Sequence, residues 1–187
     1  MSAQLTKVLA AIDAANTQDP NREDGQPAAL LYGQRMSEQQ LRLFPDAPDA
    51  LQIAARGQHV ERWKLQRSSF PEGRAGYLAW RKAEAEHHVR VVTDLMQEAG
   101  YGPDDTDAAA RMLRKEGIKR DDQVQALEDI ICFVFLKWYF APFAAKHPAD
   151  KVQRIVEKTA RKMSPAARAR VLTEFDLSGD LAGAFAT

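Results

Sequence analysis

The stretch that most constrains this chain runs from Asp121 to His147, DDQVQALEDIICFVFLKWYFAPFAAKH. Two aspartates open it, and carboxylates suit a helix start because they accept from free N–H groups and favour the positive end of the helix dipole. From Ile130 to Leu136 the residues are apolar on every side, so a helix here lies inside the protein. Lys137 and Pro142 interrupt the run, which is shorter than the roughly 20 residues a bilayer needs. The expectation is a central core helix and no membrane span. Glu128 and Asp129 stand just before its driest part. Asp129 shares a face with Gln125, Cys132 and Phe133, and a carboxylate there needs a partner or a proton.

Caps and breakers divide the rest of the chain into helices. The expected spans are 3–16, 27–44, 49–65, 77–99, 103–117, the central helix from 121 until Pro142 kinks or ends it, 149–163 and 164–175. Pro27, Pro103 and Pro165 fall in first turns, where a missing N–H costs nothing. Polar loops cover 17–26 and 67–76. No segment alternates with a two-residue period, so no strand is expected. This predicts an all-α, single-domain bundle of seven to eight helices over residues 1–177, with a mobile C-terminal tail at 178–187.

One cysteine in 187 residues, Cys132, rules out a disulfide framework, and a reducing, cytoplasmic setting is expected. Cys132 lies in the apolar run, where its thiol stays protonated and serves as core filler. The first residues lack the long apolar stretch of a secretory signal.

Net charge is zero, yet residues 56–82 carry seven basic and two acidic side chains. Arg56, Arg62, Lys64, Arg67, Arg74, Arg81 and Lys82 share this segment with Trp63 and Trp80. Such a local excess suits an anionic ligand such as a phosphate group. Pairing with the acidic segment that follows explains it equally well. Nucleic acid is the less favoured partner, because zero net charge and a pI near 6.9 are unlike a dedicated binder.

His59, His88 and Asp129 fall on three separate expected helices, which in a bundle can converge. Two imidazoles and a carboxylate suit a divalent transition metal. They equally suit a buried network in which the histidines satisfy Asp129 and Glu128. Spacing does not choose between the two. A glycine-rich phosphate loop, a dinucleotide fingerprint, paired-cysteine zinc spacing and His-Glu-x-x-His are all absent.

The string Ala55-Arg-Gly-Gln-His59-Val-Glu-Arg-Trp63, then Arg67, Phe70-Pro-Glu-Gly-Arg-Ala-Gly-Tyr-Leu-Ala-Trp-Arg81 and His88, resembles the family called domain of unknown function 4202. So do Gln125-Ala-Leu-Glu-Asp129, Lys146-His147 and Lys158 to Ser164. The resemblance spans about residues 28–172 and brings no assigned activity. A fainter similarity is to the HD superfamily of metal-dependent phosphohydrolases, which are all-helical and bind metal through a histidine, a His-Asp pair and a later aspartate. Leu127-Glu-Asp129 looks like their last ligand segment, with Lys115 before it. Gln58-His59 stands where His-Asp is expected, and there is no histidine near Tyr32.

The resulting expectation is an HD-like helical protein that binds a phosphorylated small molecule or nucleotide. In its enzymatic form it hydrolyses that ligand, with a divalent metal ion on His59, His88 and Asp129 lowering the pKa of a bound water. Glu128 or Glu61 would act as general base, and Arg62, Arg67, Arg74, Arg81 and Lys115 would hold phosphate oxygens. The alternative is a non-catalytic module that binds RNA or a nucleotide, or a structural interaction protein with a buried His–carboxylate network.

Overall fold

In the computed structural model, which describes residues 2–186, the chain is helical almost throughout. It divides into two compact units, Met1–Glu116 and Gly117–Thr187. Among the described residues no helix is long and apolar enough to cross a membrane.

The first unit holds α1 (Ala3–Asn16), α2 (Ala28–Leu43), α3 (Asp49–Gly57), α4 (Gly73–Glu98) and α5 (Pro103–Arg114). Ser2 caps α1 by accepting from the Leu5 N–H. The α3 helix packs against α1, α2, α4 and α5. Its inward residues Ile53, Ala54 and Ala55 are fully buried, together with Ile12, Met36, Val92 and Met96. Arg56 forms a two-pronged pair with Asp13 at 2.6 and 2.5 Å, joining α3 to α1.

Two boundaries differ from expectation. The loop at 17–26 contains a two-stranded antiparallel hairpin, β1 (Arg22–Glu23) with β2 (Gln26–Pro27). Asp24 and Gly25 both have positive φ, 49° and 77°, as the tight turn between paired strands requires. Strands of two residues are too short to show alternation. Buried Arg35 pairs with Glu23 and Asp24 and ties the hairpin to α2. The second difference is at α3, which stops at Gly57 instead of running to 65. Glu61 adopts a left-handed conformation, and two 3-10 turns, Arg62–Lys64 and Arg67–Ser69, lead to α4, which begins four residues earlier than expected.

In the second unit, α6 (Asp122–Val134) starts at the expected Asp121 cap, whose carboxylate accepts from the Gln123 and Val124 N–H groups. Its last turns widen into a π-helix, Phe135–Tyr139, with the Phe140 N–H reaching back to the Phe135 carbonyl. Then come α7 (Phe140–Ala145), α8 (Ala149–Lys162), α9 (Pro165–Glu174) and α10 (Gly179–Gly183). Pro142 thus lies inside α7, and the widened turn precedes it, a common place for the spare carbonyls a proline creates. Ile130, Cys132, Phe133, Val134 and Leu136 are buried, whereas Ile131, Phe135, Trp138 and Phe140 are half-buried. The Phe133 and Phe175 rings meet at 5.6 Å. The segment expected as a tail contains α10 and a buried Phe185.

Asp129 is buried, and the partner it needs is a helix start. Its Oδ1 accepts from the Ser164 N–H at 2.8 Å and from Gln125 Nε2 at 3.0 Å. The Ser164 hydroxyl caps the same helix, α9, by accepting from the Ala167 N–H. Burial holds the Asp129 carboxyl above its usual range, with the Ser164 and Gln125 bonds acting against that rise. Glu128, also buried, faces Lys162 Nζ at 3.3 Å.

Truncating the fully buried Phe133 to alanine should destabilise the protein by about 3–5 kcal/mol in denaturant unfolding, the usual loss for a buried aromatic. Asp129→Ala leaves the Ser164 N–H without its acceptor and should cost about 1–3 kcal/mol in the same assay.

Candidate functional site

The first unit contains a cavity of about 360 Å³ whose lining includes Gln58, His59, Arg81, Glu84, His88 and Lys115. Three chain segments build it. The α3 helix ends at Gly57, so Gln58 and His59 follow on a turn. The α4 helix presents Arg81, Glu84 and His88, spaced three and four apart on one face. Lys115 closes α5 in the left-handed conformation, φ 61°, and turns the chain at the cavity edge.

Gly57 sets how closely these segments approach. A β-carbon there would lie 2.5 Å from Val92 Cγ2 on α4, well inside contact distance. Glycine leaves Val92 in place at this contact, and just beyond it the His59 and His88 ring centroids lie 6.1 Å apart. Tyr32 on α2 stacks on His59 with 3.8 Å between centroids and 18° between planes.

Arginine can only donate, which fixes the state of His59. Arg62 Nη1 lies 2.6 Å from His59 Nε2, so that nitrogen accepts and the ring is neutral. Electrostatics agree. Burial, then Arg62, His88, Arg81 and Lys115, hold the His59 pKa well below its ordinary value. Burial, with Arg62, His87 and Arg81, brings His88 down to about 3. Both imidazoles are therefore uncharged near neutral pH.

One buried carboxylate faces these cations. Glu84 Oε1 is 3.2 Å from Arg62 Nε, and its Oε2 is 3.8 Å from Arg81 Nη1. Neither oxygen has a hydrogen bond of good geometry. Burial pushes the Glu84 carboxyl up, against the downward pull of Arg62 and Arg81. Gln58 Oε1 and His88 Nε2 are likewise buried without a hydrogen-bond partner. Arg62 also lies over the Trp80 ring at 5.3 Å, and Trp80 Nε1 donates to the Leu65 carbonyl.

The structure sorts the residues singled out from the sequence. His59, His88, Arg62, Arg81 and Lys115 gather in and beside the cavity. Arg67 instead donates to the Phe70 and Gly73 carbonyls and holds its loop together. Arg74 is exposed in the first turn of α4. Glu61 is engaged by Lys64 at 2.5 Å and lies 3.3 Å from His87 Nε2. Glu128 and Asp129 belong to the second unit, where Asp129 is bound by Gln125 and Ser164. Among the described residues, no group of three or more His, Cys, Asp or Glu side chains could hold a metal ion. Gln58 and Glu84 were not assigned roles from the sequence. Glu84 carried the better signal, lying three residues after Arg81 and four before His88.

These features define an all-helical protein with a polar cavity in its first unit, lined by Arg81, Lys82, Arg114 and Lys115 together with Glu84, Glu86 and Glu116, of which Arg114 and Glu86 pair with each other. The chain belongs to the family described as Domain of unknown function (DUF4202), whose profile matches residues 6–184. No curated protein and no solved structure matches it, so the fainter resemblance to the HD superfamily gains no support from relatives.

A histidine kept neutral by its surroundings makes folding sensitive to acid. Between pH 6.5 and 3 the unfolded chain carries a proton on His88 that the folded chain does not, so stability falls as pH drops through that window. His88→Gln should reduce the slope of unfolding free energy against pH by up to one proton, about 1.4 kcal/mol per pH unit. Urea titrations of both proteins between pH 4 and 7 measure the difference.

Proposed function

We propose that this protein binds a phosphorylated small molecule or nucleotide in the cavity between the end of α3, α4 and the end of α5. The observation that carries the reading is the charge around the two histidines. Arg62, Arg81 and Lys115 act on His59, while Glu84 is the carboxylate facing the two arginines. The energy of holding several cations together is relieved by an anion and increased by a metal cation. The guanidinium of Arg81 also matches the paired oxygens of a phosphate.

Binding is the better-supported activity and hydrolysis the lesser one. A histidine with a pKa near 3 is a weak base at neutral pH, and Glu61 is already engaged by Lys64. A non-catalytic role in recognising a phosphorylated compound fits both facts.

Calorimetric titration with phosphate esters in the presence of a metal chelator tests the proposal. Binding should persist without metal and weaken as salt rises. Arg81→Lys should reduce affinity roughly tenfold, because a planar fork becomes a point charge. The melting temperature should hardly move, since the Arg81 side chain is 38% exposed and 3.8 Å from Glu84. Loss of fold in this variant with unchanged affinity would make Arg81 a structural residue.

A further inference from the structure

The cavity contains more than cations, and its unpartnered atoms describe the rest of the ligand. Buried polar atoms are nearly always hydrogen-bonded. Here Gln58 Oε1 and both Glu84 oxygens are buried without a hydrogen-bond partner, on residues only 6% and 2% exposed that line the cavity. Gln58 Oε1 only accepts, and the Glu84 oxygens only accept when the carboxyl is ionised, the state its two neighbouring guanidinium groups favour. A phosphate dianion also only accepts, so it would leave them unsatisfied and would repel Glu84. A ligand consisting of phosphate alone therefore answers half of the site.

We infer that the ligand is a hydroxyl-bearing phosphate ester of the sugar-phosphate class, its phosphate held by Arg81 and Lys115 and its hydroxyls donated to Gln58 Oε1 and Glu84. This rests on the anion-binding reading above and specifies the remainder of the molecule. Glu84 makes the argument independent of which way the Gln58 amide is turned. Neutral hydroxyls are chosen over a ligand amine because Arg62 and Arg81 already flank Glu84, at 3.2 and 3.8 Å. A third cation there would be repelled. His88 Nε2, buried and unpartnered beside the same space, donates to a phosphate oxygen or accepts from a hydroxyl according to its tautomer. The volume agrees: about 360 Å³ lies at the small end of ligand cavities, which run from roughly 300 to 1,000 Å³.

The experiment titrates the full chain calorimetrically with ribose 5-phosphate, butyl phosphate, phosphoethanolamine and inorganic phosphate. Ribose 5-phosphate should bind about tenfold or more tighter than butyl phosphate, the difference expected when buried polar groups lose their partners. Gln58→Met, which keeps the length of the side chain and removes the amide, should shrink that ratio. Equal binding of ribose 5-phosphate and butyl phosphate would overturn the hydroxyl assignment while the anion site stands. Tighter binding of phosphoethanolamine than of ribose 5-phosphate would overturn the choice of neutral donors. Binding of none of the four would remove the anion site itself. If Gln58→Met fails to fold, 2-deoxyribose 5-phosphate against ribose 5-phosphate on the unmodified protein replaces it. Weaker binding of the deoxy sugar then supports the inference, and equal binding overturns it.

Discussion

The near approach of α3 to α4 at Gly57 is the constraint on which the first unit depends. With a β-carbon there only 2.5 Å from Val92 Cγ2, any other residue would require the buried Val92 side chain or the helix carrying it to shift. Ile53, Ala54, Ala55 and Val92 are fully buried around this contact, so a small displacement would open voids on several sides. The cavity lies immediately beyond it. Gln58 and His59 leave the end of α3 directly after Gly57, and His88 stands one helical turn before Val92 on α4. The packing that stabilises the unit and the geometry that gathers the polar groups therefore share one cause.

That geometry carries an electrostatic cost. Two imidazoles are kept neutral by burial and by neighbouring cations, and Glu84 is buried against two guanidinium groups that it does not engage in well-formed hydrogen bonds. Folding alone gives no reason for such an arrangement, since apolar side chains of similar volume would be at least as stable. Perturbed titratable groups gathered in a cleft are a recognised mark of function. The strain falls on side chains that line a cavity, where a ligand can relieve it.

Local chemistry made most of the helices legible. The Ser2, Asp121 and Ser164 caps and the first-turn prolines at 103 and 165 all act as their residue types suggest. The Arg22–Pro27 hairpin was hidden because two-residue strands have no period to detect. The end of α3 was hidden because Gly57 was read by its helical surroundings, while its role comes from Val92, 35 positions away in sequence. The excess of basic residues at 56–82 was legible, but part of it is taken up within the fold. Arg56 pairs with Asp13 and Arg67 binds loop carbonyls. The need of Asp129 for a partner was legible from its place at the start of an apolar run, and Gln125 on its own helix and Ser164 at the start of α9 meet it. The expectation of a histidine partner gave way to a backbone N–H, a donor every residue carries and no motif announces.

Asp129 and Glu84 are buried carboxylates whose hydrogen bonding the fold completes to different degrees. Each is 2% exposed, and burial raises the pKa of each. Asp129 accepts two hydrogen bonds near 3 Å, one from the N–H at the start of α9, where the helix dipole also favours its charge. Its local need is met by the fold, and it lines no described cavity. Glu84 has charged neighbours but no well-aligned donor, and it opens onto space bordered by Arg81 and Lys115. Burial, charge and sequence context scarcely distinguish the two residues; whether the fold itself completes the hydrogen bonding does. By that criterion Asp129 anchors a helix, and Glu84 is the carboxylate that the proposed ligand would complete.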